Sequence, residues 1–149
     1  MSQEKSEDIV KDNLDRLLAL GNLAQQTHSI PTKPLTLILE GLSGFGKTAR
    51  IRAWAKENGI TLVEENASTY PSYAKALAEG MSKEDLYQEL YHRLNQQKNT
   101  VYFLNEIQFL DSKTFAFFDP ILRYLSIPEG KNGLRRIPGL LFIVGEKTL

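Results

Sequence analysis

Gly41-Leu42-Ser43-Gly44-Phe45-Gly46-Lys47-Thr48 constrains this chain more than any other stretch. It satisfies G-x-x-x-x-G-K-[ST], and it sits in the context that gives the pattern meaning. The run Leu35-Thr36-Leu37-Ile38-Leu39 before it is nearly continuous in apolar residues. That suits a short strand covered on both faces, as in a parallel sheet. After it, Lys47 to Asn58 reads as a helix, with Gly59 as its terminator. Strand, glycine turn and helix in that order bring backbone N–H groups and a helix N-terminus to one point, where phosphate oxygens fit. Gly41, Leu42, Ser43, Gly44, Phe45, Gly46 and the amides on to Ala49 would wrap the phosphates. Lys47 would place its charge at the β- and γ-phosphates, and Thr48 would offer its hydroxyl to Mg²⁺.

The rest of the chain supplies a matching alternation. Residues 6–28 read as an amphipathic helix through Ile9, Leu14, Leu17, Leu18 and Leu20, with a possible interruption at Gly21-Asn22. Ile30 to Pro34 holds two prolines and reads as an extended linker. Residues 1–29 are thus taken as a helical segment and 30–149 as the core. Ile60 to Val63 reads as a second strand and 64–81 as mixed. Residues 82–98 form a helix opened by the capping box of Ser82 and Asp85. Val101 to Leu104 is a third strand. Phe115, Phe118, Leu122 and Leu125 mark a helical face, broken or kinked at Asp119-Pro120. Glu129 to Pro138 reads as loop, and Leu140 to Val144 as a fourth strand. Strands alternating with helices predict an α/β fold with a parallel sheet and helices on both faces.

Composition removes several function classes. The chain has 149 residues, one domain's length, with 42% hydrophobic and 24% charged residues, the mix of an ordinary globular core. Lys+Arg and Asp+Glu are 18 each, so there is no basic footprint for nucleic acid. Cysteine is absent and His28 and His92 stand apart, which removes disulfide scaffolds, thiol nucleophiles and zinc–cysteine sites. The start MSQEKSEDIV has no apolar signal core, and no apolar run is long enough for a membrane span. A cytoplasmic location is expected.

A second polar element follows the third strand. In Val101-Tyr102-Phe103-Leu104-Asn105-Glu106 the strand ends on an amide and a carboxylate. The amide oxygen of Asn105 can accept from a water on Mg²⁺, but it carries no charge. Glu106 can take a proton from an attacking water.

Taken together, the strand–GLSGFGKT–helix, VYFLNE and LLFIV, in that order, resemble an AAA+ ATPase core over residues 33–149. Leu62-Val63-Glu64-Glu65-Asn66-Ala67-Ser68 looks like the equivalent stretch of many such proteins. Phe109-Leu110-Asp111, with a long loop before the last strand, is similar to the MoxR-type branch. The resemblance implies ATP as nucleotide, Mg²⁺, and a homo-oligomer or hetero-partner that remodels protein or nucleic acid. Lys47 and Thr48 match the Walker A pair and Glu106 the Walker B glutamate, while Asn105 replaces the Walker B aspartate. The sensor 1 position falls near Thr148, with Gly145-Glu146-Lys147 an unusual lead-in. The family's strand order, 5-1-4-3-2, would leave the glycine-loop strand at a sheet edge here, because the chain stops after the fourth strand. A partner or the N-terminal helix could cover that edge. The family's arginine finger, fifth strand and helical lid are not expected within these residues.

Two functions fit: an ATPase that drives remodelling, or a nucleotide-gated assembly module with little turnover. A small P-loop kinase would need an arginine-rich lid, and GTP selection would need N-K-x-D; neither pattern is present. Elsewhere, Lys131, Arg135 and Arg136 read as a solvated loop cluster. Tyr87, Tyr91 and Trp54 read as packed and His92 as exposed. Tyr70-Pro71-Ser72-Tyr73 reads as a surface turn, at the place of a substrate-facing loop in the resembled family.

Overall fold

The apolar runs become the strands of one parallel sheet. A computed structural model describes residues 3–41, 46–68, 73–95 and 98–149. Its elements are α1 (Gln3–Thr27), β1 (Thr36–Gly41), α2 (Lys47–Glu57), β2 (Thr61–Asn66), α3 (Tyr73–Ala78) and α4 (Lys83–Asn95). Then come β3 (Thr100–Asn105), a 3-10 turn (Ile107–Phe109), α5 (Ser112–Tyr124), β4 (Ser126–Glu129), β5 (Gly133–Arg136) and β6 (Leu140–Thr148). The main sheet runs β1-β6-β3-β2, every pair parallel. The last strand in the chain therefore lies beside the first, and β1 is an edge with Ile38 exposed.

The two central strands, β3 and β6, are the most apolar and the most buried, because helices cover both of their faces. Phe142 faces α2, where the Trp54 ring meets it edge-on at 5.9 Å. Tyr102 points the other way, toward Phe118 of α5. Tyr87 of α4 stacks on Phe117 at 4.2 Å, and its hydroxyl donates to the Phe117 carbonyl rather than reaching water. His92 is exposed, as expected.

Four expectations need correction. The N-terminal helix is unbroken at Gly21. A Cβ there would lie 2.6 Å from the Leu141 carbonyl oxygen, so the glycine marks close packing of α1 on β6, not a break. Leu14 of the same helix is 1% exposed, and Asp15 accepts from the Trp54 indole N–H at 2.9 Å. Pro120 lies inside α5 without ending it. The buried Phe117, Phe118 and Ile121 around it offset the missing backbone hydrogen bond. Residues 126–136 form an antiparallel hairpin rather than a loop. Gly130 supplies its left-handed turn at φ 68°, and a side chain at Gly133 would meet the Glu129 carbonyl at 2.6 Å. Finally, β6 runs on to Thr148, four residues past the apolar run.

The hairpin changes the reading of the basic cluster. Arg135 lies over the Tyr91 ring at 4.3 Å. Arg136 turns inward, its Nη1 donating to the carbonyls of Leu125, Ile137 and Leu140. Burial lowers its pKa, yet a guanidinium stays charged. Replacing Arg136 with alanine removes a charged donor from three carbonyls, although those of Leu125 and Ile137 keep a backbone N–H partner. We expect a loss of about 2–3 kcal/mol, read as a lower urea midpoint with unchanged slope.

Helix α4 opens on the predicted box: the Asp85 N–H donates to Ser82 Oγ at 3.1 Å, and the Ser82 N–H returns to Asp85 at 3.4 Å. Helix α5 is capped by Asp111, whose carboxylate accepts from the Thr114 N–H at 2.7 Å. That bond holds the Asp111 pKa below its usual value. A lowered folded-state pKa contributes stability above the ordinary carboxylate pKa of about 4, lost as pH falls through the lowered value. Asn caps as well as Asp but does not titrate in this range. Asp111→Asn should therefore flatten the acid limb of the melting-temperature profile and leave the neutral value nearly unchanged.

Candidate functional site

The ends of β1, β6 and β3 meet at one rim of the sheet, the rim where open parallel sheets place their ligands. β1 reaches it with Gly41, paired with Thr148 of β6. β3 reaches it with Asn105, one residue beyond the Leu104–Gly145 pair. Side chains alternate across a strand. Asn105 and Glu146 thus lie on the same face, the face that meets the start of α2.

Helix α2 starts at Lys47, preceded by Gly46 in the left-handed region at φ 71°. Among the described residues no side chain caps it, and its first turn holds no acid. Its first N–H groups and the positive end of its dipole are left for an anion. Lys47 is buried, and among the described residues its Nζ has no hydrogen-bond partner. The ammonium lies over Gly41, where a Cβ would come within 2.9 Å of it. A buried cation without a partner is costly, and a phosphate is the partner this position suits. Leu42, Ser43, Gly44 and Phe45 lie outside the described residues, as do Tyr70, Pro71 and Ser72.

Glu106 follows β3 with φ 59°, a left-handed conformation costing about 1–3 kcal/mol for a residue with a side chain. Its carboxylate accepts from the Thr148 hydroxyl at 2.9 Å and from the Gln108 amide. Gln108 in turn accepts from the Thr148 backbone N–H at 3.1 Å. The three residues thus form a closed polar ring that fixes where Glu106 points.

Gln108 carried no sequence signal; only the tight turn after β3 brings it back. Thr148 is placed beside Glu106 by the length of β6. Asn105 has a buried Oδ1 with no hydrogen-bond partner among the described residues. Thr48 donates to Glu146 Oε2 at 2.8 Å.

Among solved structures, the chain is similar to a point mutant of RuvB from Thermotoga maritima, with a TM-score of 0.53 and 16% identity. The fold is that of a P-loop NTPase core. The similarity covers 95% of this chain and 39% of that one, so this chain spans well under half the RuvB chain. No protein-family model matches the sequence, and no curated protein is similar to it in sequence. The segment behind the MoxR-type resemblance is a helix and a hairpin, not a long loop. No described helix is long and apolar enough to cross a membrane.

Proposed function

We propose that this chain binds ATP with Mg²⁺ at the rim formed by β1, β6 and β3, and hydrolyses it to drive the remodelling of a partner. The observation that carries this reading is the buried Lys47 ammonium above Gly41, at the start of α2, with no hydrogen-bond partner and no helix-capping side chain among the described residues. Residues 41–49 take the phosphates. Glu106, oriented by Thr148 and Gln108, takes the proton of the attacking water. The oxygen donors at the rim fit a hard cation such as Mg²⁺. Thr48 and, through water, Asn105 would hold it. Bound Mg²⁺ neutralises charge on the phosphate oxygens. ATP is favoured over GTP because the sequence has no N-K-x-D segment. The open edge at β1 suits a second copy or another protein.

A second reading is a nucleotide-gated module without turnover, favoured by the uncharged Asn105. One experiment separates the two: a nucleotide-binding titration run beside steady-state phosphate release, each with and without Mg²⁺. Binding with turnover supports the ATPase. Binding alone supports the module. No binding removes both.

A further inference from the structure

Glu146 is 7% exposed, on a strand whose other buried residues are apolar. Its carboxylate accepts from the Thr48 hydroxyl, and among the described residues no basic side chain forms a salt bridge with it, while Arg52, paired with Glu64, feels its charge at longer range. Such burial of a carboxylate is unfavourable unless a cation or several donors answer it. Next to it on β3, where the resembled family carries an aspartate, stands Asn105, whose buried Oδ1 has no hydrogen-bond partner among the described residues. The two positions face the start of α2 from neighbouring strands. A carboxylate is missing from one and present in the other.

We infer that Glu146 supplies from β6 the negative charge that Asn105 lacks on β3, and so serves as the acidic partner of Thr48 toward Mg²⁺. This rests on the proposed nucleotide site. Thr48 is the pivot, because its hydroxyl is the group read as meeting the metal and Glu146 already holds it. The exchange works because adjacent parallel strands place their rim residues side by side, about 4.8 Å apart. Glu146 is therefore a positioning residue for Thr48 and a charge for the cation. It is not the base, a role left to Glu106.

The test is titration with mant-labelled ATP, in MgCl₂ and in EDTA, on the full chain and its variants. The readout is the factor by which Mg²⁺ tightens binding. Removing Glu146 should reduce that factor at least about tenfold. Metal-free affinity should stay level or improve, because a negative charge near the phosphates has gone. Glu146→Gln keeps the shape and a Thr48 contact, and serves where Glu146→Ala fails to fold. Asn105→Asp combined with Glu146→Ala should restore the Mg²⁺ factor, and bound Mn²⁺ counted by electron paramagnetic resonance should follow it.

A Glu146→Ala protein that keeps the full Mg²⁺ factor overturns the inference while leaving the nucleotide site standing. Binding tightened equally in both buffers, with the Mg²⁺ factor unchanged, also overturns it, and makes Glu146 a latch that holds Thr48 closed. A large gain from Asn105→Asp alone overturns it as well, since the charge would then have been absent. A wild-type chain that binds ATP in neither buffer overturns the nucleotide site and this inference together.

Discussion

Glu106→Gln is expected to leave ATP affinity within about twofold and to lower turnover by roughly 10²- to 10⁴-fold, the range of a lost general base. The argument rests on how the side chain is held. Glutamine has nearly the shape of glutamate, so the Thr148 hydroxyl keeps an acceptor. The Gln108 amide loses its charged acceptor but stays in the same turn. The left-handed backbone at 106 is unchanged by the substitution. What goes is the capacity to take a proton. Phosphate release measured at saturating ATP, beside a binding titration, checks both halves. Equal turnover in the variant would remove Glu106 from the chemistry.

The second large effect is at Lys47. Lys47→Ala should weaken ATP binding by about 10- to 100-fold, the range for a hydrogen bond to a charged group of about 1.5–3 kcal/mol. The loss should not come with unfolding. Among the described residues the buried ammonium has no hydrogen-bond partner, so its removal relieves a desolvated charge. A melting temperature equal to or above that of the wild type, together with lost binding, is therefore the expected pair of results. A destabilised variant would instead make Lys47 a structural residue. Calorimetric titration and a thermal melt on the same sample decide it.

Much of the fold was legible because burial leaves a simple trace. Val101–Leu104 and Leu140–Val144 are apolar runs of the covered central strands; the Leu35–Leu39 run also marks a strand of the parallel sheet, but at its edge, with Ile38 exposed rather than covered. Lys47, Thr48 and Glu106 were legible because a local motif and a strand end carry them. What escaped depends on register between distant strands. Glu146 gains its meaning only when β6 lies beside β1 and β3, and its own neighbours in sequence say nothing of that. Gln108 was invisible for the same reason. The hairpin at 126–136 has no alternating apolar pattern and contains a proline, although its turn residues Gly130-Lys131-Asn132-Gly133 are the signal that could have found it. Gly21 reads as a helix break in sequence and as a contact in space.

Trp54 is the single tryptophan of the chain. It lies about two turns along α2 from Lys47, 4% exposed, with its ring against Phe142 and its N–H tied to Asp15 of α1. The protein therefore carries one tryptophan fluorophore, on the helix whose first turn opens the proposed nucleotide site. Any displacement of that helix against α1 breaks or lengthens a single indole hydrogen bond and alters the emission. The emission of one side chain is therefore expected to follow nucleotide binding in real time, with no dye attached and no second tryptophan to confuse the signal.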